Sequence, residues 1–136
     1  MQNNPPLRQI IPTREFQRDL RALSKKYRHI RSDVQPIIEK LQAGELLGVP
    51  IPGTGYEIFK VRVKNSDVQK GKSGGYRFIY YLQTMTIVIL IAIYSKSEQS
   101  DIASDRILAI ISEFNELIEN PGEATEEKAG NDRNGD

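Results

Sequence analysis

Phe16, Leu20, Leu23, Tyr27 and Ile30 succeed one another at spacings of four, three, four and three, the interval at which side chains line one stripe of an α-helix. Thr13, following Pro12, is placed to cap that helix. Val34, Ile37, Ile38 and Leu41 make a second stripe. Ser32 and Gln35 before it have the spacing of a capping box, and Gly44 is a natural stop. Pro36 would then lie in the first turn, where a missing N–H costs little. The two stripes predict an αα-hairpin, with Gln9 to Ile11 as a candidate short strand ahead of it.

The period then changes. Residues 48–55 contain Pro50, Pro52, Gly53 and Gly55, too many breakers for a helix or a central strand, and read as a loop. Phe59, Val61 and Val63 alternate with Lys60, Arg62 and Lys64, which predicts a strand with one buried face and three cations on the other. Tyr76 to Leu82 and Ile87 to Tyr94 are aromatic and β-branched runs joined by residues 83–86, the pattern of a hairpin. The second run does not alternate, as expected of a central strand covered on both sides. A last helix, capped by Ser100 or Ser104, carries Ile107, Leu108, Ile111, Phe114 and Ile118. The order β, α, α, β, β, β, α predicts an α+β fold: a curved, mainly antiparallel four-stranded sheet packed by an N-terminal α-hairpin and a C-terminal helix.

Composition adds bounds to this picture. A chain of 136 residues suits one domain with one core, expected over residues 8–120. Residues 1–7 are expected to be flexible. Residues 121–136 hold no large aliphatic or aromatic side chain, which predicts a disordered acidic tail. The absence of cysteine removes disulfides, thiolate zinc sites and Cys nucleophiles. The longest aliphatic run, Ile87 to Ile93, is far short of the roughly 20 residues of a membrane helix. The polar N-terminus does not read as a signal peptide, so the expected location is the cytoplasm, with no membrane partner.

The net charge of +1 conceals an uneven distribution: residues 8–42 carry +5 and residues 56–100 carry +4, whereas 101–120 carry −4 and 121–136 carry −3. Six basic residues and one acid, Asp67, lie between Lys60 and Arg77. A positive surface on a near-neutral protein concentrates polyanions at one face. Lysines guarding an edge strand would give a similar pattern, but Arg77 opens an otherwise apolar strand, where a guanidinium is costly to bury.

Lys70-Gly71-Lys72-Ser73 superficially matches a phosphate-binding P-loop, but the earlier glycine would fall at Ser66 and a strand follows instead of a helix. With one histidine, His29, expected at the surface, no metal-ligand constellation and no cofactor are expected. Ser95 and Ser97 lack a histidine base. Lys, Arg and Tyr can still cleave RNA without metal, because the ribose 2′-OH is an internal nucleophile beside its own phosphorus.

Lys60-Val-Arg-Val63, Lys70-Gly-Lys-Ser-Gly-Gly-Tyr-Arg77, Ile79-Tyr-Tyr81 and Ile93-Tyr-Ser-Lys-Ser-Glu-Gln99 with Asp101-Ile102 together resemble the RelE/ParE toxin superfamily, particularly its HigB-like ribosome-dependent mRNA endonucleases. With the flanking helices the likeness covers roughly residues 8–119. The resemblance implies a sheet-plus-helices fold and a type II toxin that cleaves mRNA on the ribosome until a cognate antitoxin binds it. It further implies that Arg62, Lys70, Lys72 and Arg77 bind phosphate or stabilise its transition state, and that Tyr94 and Lys96 orient RNA or assist proton transfer; Lys60 and Lys64, on the same strand face as Arg62, are further candidates to bind phosphate. Arg77, Tyr94, Lys96 and Lys72 are the catalytic candidates. The chain has no His or Tyr after Lys96, so the resemblance assigns no general base. The ParE branch implies a different outcome, non-catalytic inhibition of DNA gyrase, and an inactive antitoxin-binding member is a third.

Overall fold

Alternation and helical periodicity resolve, in the computed structural model, into eight elements; the structure describes residues 7–68 and 75–119. They are β1 (Gln9–Pro12), α1 (Arg14–Ser24), α2 (Ile30–Gln42), β2 (Val49–Pro50), β3 (Ile58–Val63), β4 (Tyr76–Thr84), β5 (Ile87–Ser95) and α3 (Ser104–Glu119). The strands form one sheet in the order β1-β5-β4-β3-β2. β1 is parallel to β5, and the other neighbours are antiparallel. This is a small α+β architecture with a mixed, mainly antiparallel sheet and three helices.

The sheet has five strands, where the sequence pattern predicts four. The addition is β2, whose Val49 and Pro50 pair with Lys60 and Phe59 inside the stretch read as a loop. Proline is tolerated there because an edge strand need not donate on its outer side. Gly48 permits the approach: its φ is +83°, and a Cβ on it would lie 2.2 Å from the Lys60 carbonyl oxygen. Tyr80 pins the neighbouring residue, its hydroxyl donating to Leu47 O at 2.7 Å and accepting from Leu47 N at 2.9 Å.

The hairpin helices cover one face of the sheet, where Phe16, Leu23, Ile30, Val34 and Leu41 pack on Val61, Phe78, Tyr80 and Leu90. α3 covers the other, with Ile107, Ile110 and Ile111 against Ile58, Ile79, Ile89 and Ile91. β5 is therefore buried on both faces, as its unbroken apolar run predicts, but it lies between the short β1 and β4, and β4 is the central strand. In α3, Ile110 is buried and Ile118 is exposed, so the stripe is turned slightly from the one read in the sequence.

Two helix boundaries differ from expectation. Thr13 does cap α1, accepting from Phe16 N at 3.1 Å, but α1 ends at Ser24 and its apolar stripe passes through the link. Tyr27 there packs edge-on against Tyr76, ring centres 5.8 Å apart, and Ile30 already opens α2. Ser32 and Gln35 consequently form no capping box: Ser32 Oγ donates to His29 O, and Gln35 Nε2 to Glu39. The amide of His29 at the N-cap position donates instead to Asp67 Oδ2 at 2.9 Å, a carboxylate supplied from the distant β3–β4 connection. Pro36 thus lies inside α2 and not in its first turn. The expectations for residues 1–6 and 121–136 fall outside the described residues. Among the described residues, no helix is long and apolar enough to cross a membrane.

Candidate nucleic-acid interface

Strand parity places Lys60 and Arg62 on the α3 face of β3, about 7 Å apart along the strand. Arg62 is the direct cross-strand partner of Arg77, and Arg77 is in turn the partner of Tyr94. A β-bulge makes the second pairing possible. Ile79 pairs with Ala92 but Tyr80 with Leu90, leaving Ile91 as an extra residue in β5. The insertion shifts the alternation, so that Ala92 and Tyr94 share the α3 face with Ile89 and Ile91. Without it, Tyr94 would point into the hairpin side of the core.

At this end of the sheet an open groove of about 590 Å³ is lined by Lys60, Arg62, Arg77 and Lys96. Gly48 and Val49 border it from the β2 side, and Ser100 from the connection leading to α3. Lys96 is held by its backbone N–H, which donates to Gly75 O at 2.9 Å, and its Nζ donates to Ser100 O at 3.3 Å. Gly75 is needed for this close packing, since a Cβ there would stand 2.3 Å from the Val63 carbonyl oxygen.

The charges are arranged for an anion. Like charges directly opposite each other across two strands repel, yet Arg62 and Arg77 are so placed, and among the described residues neither guanidinium enters an ion pair. Arg77 is only 7% exposed, and its Nη1 donates to the neighbouring Tyr76 O at 3.2 Å. A buried guanidinium with one carbonyl partner keeps most of its five donors for a ligand. Lys60 differs, since its Nζ lies 3.3 Å from Asp101 Oδ1. The same oxygen accepts from Ile102 N at 2.9 Å and from the Tyr94 hydroxyl at 3.4 Å. These donors, the Ile102 amide first, hold the Asp101 carboxyl below the usual carboxylate range. Burial, followed by the charge of Asp101, pushes the Tyr94 phenol up to about 12, against the opposing pull of Arg77. Tyr94 is therefore a neutral hydrogen-bond donor near pH 7 and a poor base.

Of the residues singled out in the sequence, the fold brings Lys60, Arg62, Arg77 and Lys96 into one groove and sets Tyr94 beside Arg77. Lys64 follows the last paired residue of β3, is exposed, and does not line the groove. Lys70 and Lys72 lie outside the described residues. Sequence reasoning missed Gly48, Val49, Ser100 and Asp101. Gly48 was visible only as one breaker among several, and Asp101 only within the Asp101-Ile102 pair of the resemblance, with no role assigned to it. His29 pairs with Asp67, Nδ1 to Oδ1 2.6 Å, and is exposed as expected. Among the described residues, no three His, Asp or Glu side chains gather in a way that could hold a metal ion. The chain matches no known family model and no curated protein.

Proposed function

We propose that this protein is a metal-independent endonuclease that cleaves mRNA on the ribosome, the toxin of a type II toxin–antitoxin system with a RelE/ParE-like fold. The reading rests on the cross-strand Arg62–Arg77 pair in a groove also lined by Lys60 and Lys96. A single phosphodiester between two unpaired guanidiniums relieves their repulsion and uses their fork geometry.

In this reading the groove binds the scissile phosphate with Arg77 and Arg62 on its non-bridging oxygens. The adjacent 2′-OH attacks phosphorus in line, the P–O5′ bond breaks, and the products are a 2′,3′-cyclic phosphate and a 5′-hydroxyl. The two arginines stabilise charge on the phosphorane-like transition state. Tyr94, neutral at working pH, supplies a hydrogen bond to a phosphate oxygen or to the departing 5′-oxygen. Lys60 and Lys96 hold flanking phosphates. DNA, which lacks the 2′-OH, is not cut. The ribosome supplies the alignment of the message, and a cognate antitoxin is the partner that silences the site.

Toeprinting of a translated message with purified protein tests the proposal. Cuts at the ribosomal A site are expected, and Arg77→Ala should reduce them about 10²-fold, the scale for losing one preorganised charge-stabilising donor. An intact message at saturating protein refutes the nuclease reading. Trapped gyrase–DNA complexes in a parallel supercoiling assay would then support the gyrase alternative.

A further inference from the structure

Asp101 is out of place by charge alone. A carboxylate beside a phosphate-binding groove opposes the ligand, and an ordinary surface acid could be oriented away at little cost. Here the opposite holds. One oxygen, Oδ1, is anchored by the Ile102 amide at 2.9 Å and reaches both the Lys60 ammonium at 3.3 Å and the Tyr94 hydroxyl at 3.4 Å. The Gln99 side chain holds the same residue from behind, Nε2 donating to Asp101 O at 2.9 Å. Among the described residues, Asp101 is the one hydrogen-bond partner of the Tyr94 hydroxyl. Lys60 and Tyr94 come from β3 and β5, on either side of β4, so a single carboxylate links Lys60, which lines the groove, to Tyr94, which is buried next to Arg77.

We infer that Asp101 is a positioning residue: it sets the Tyr94 hydroxyl and the Lys60 ammonium in place for a ribose-phosphate, acting through them and not on the substrate. The inference rests on the nuclease reading for its consequence and on the three-donor geometry for its content. It separates binding from turnover. Removing a negative charge beside a cationic groove strengthens polyanion binding, whereas loss of the shared acceptor releases the Lys60 ammonium and leaves the hydroxyl of the packed Tyr94 ring without its fixed partner, which slows the chemistry. Simple charge balancing predicts only the first effect.

Asp101→Ala and Asp101→Asn test this in the full chain, with a single-stranded oligonucleotide of uncleavable 2′-deoxy backbone as the binding probe and a ribosome-bound message for cutting. Both variants should bind the probe roughly two- to fivefold more tightly at 0.1 M salt. Asp101→Ala should lose about 10²-fold in single-turnover cutting, and Asp101→Asn, which keeps an acceptor at the same place, should recover most of it. The third measurement is the titration of Tyr94 by NMR of ¹³C-labelled tyrosine, whose midpoint should fall in Asp101→Ala. Wild-type cutting speed in Asp101→Ala overturns the inference. If the unmodified protein cuts nothing, the nuclease reading fails separately, and an unchanged Tyr94 midpoint in Asp101→Ala would overturn the positioning role on its own.

Discussion

Asp19 of α1 offers a sharp test of the energetics of this fold. β1 ends at Pro12, opposite Leu90, so the β5 edge beyond that point has no neighbouring strand. α1 lies there, and Asp19 Oδ2 accepts the otherwise unpaired amide of Ile93 at 3.1 Å. Burial first, and the adjacent Glu15 carboxylate next, raise the Asp19 carboxyl from 3.8 to about 7, although the Ile93 amide and Arg106 pull the other way. Glu15 is itself held by Arg106 at 2.5 Å and Arg18 at 3.0 Å. Because the folded-state value lies above the unfolded one, the native state holds the Asp19 proton more tightly. Stability from this group is complete below pH 3.8, erodes as pH rises, and is lost above about 7. The interval corresponds to a ceiling of about 4 kcal/mol, which partial exposure reduces. Asp19→Asn keeps an acceptor for the Ile93 amide and removes the charge. Urea denaturation of both proteins at pH 4, 6 and 8 should show near-equal stability at pH 4 and an advantage for Asn of about 1–3 kcal/mol at pH 8. A difference that stays constant across this range would refute the argument.

Other changes probe the supports of the groove. Gly48→Ala places a Cβ against the Lys60 carbonyl at a positive φ; it should cost at least about 2 kcal/mol in chemical denaturation and weaken oligonucleotide binding by displacing Lys60. Tyr80→Phe leaves both backbone groups of Leu47 without their partner and should cost about 1–2 kcal/mol by the same assay. The Asp67 carboxyl is held below its ordinary value, first by hydrogen bonding from the His29 side chain. Its contribution is thus present at neutral pH and lost as pH falls through that lowered value. Asp67→Ala should lower the melting temperature at pH 7, with the gap to the unmodified protein closing in acid. Oligonucleotide affinity should fall steeply with salt, and Arg62→Ala should flatten that slope by about one counterion; an unchanged slope would place Arg62 outside the contact.

Local periodicity was sufficient to determine the hairpin helices, the three long strands and the burial of β5 on both faces, because apolar spacing reports which face of an element leaves water and needs no knowledge of the partner. It also placed Lys60 and Arg62 together on the wet face of one strand. The remainder depended on contacts between residues far apart in the chain. The end of α1 and the start of α2 were set by Tyr76 and by a carboxylate from Asp67, neither of which is near the helices in sequence. β2 exists because Gly48 lets Lys60 come close, and among several glycines and prolines in one segment nothing local singled it out. The bulge at Ile91 shows the limit most clearly. Counting in twos predicts a face only until a residue is inserted, and the insertion is defined by pairing with β4. Through that one extra residue, the tertiary structure decided that Tyr94 is buried on the α3 side of the sheet, paired with Arg77, and not on the hairpin side.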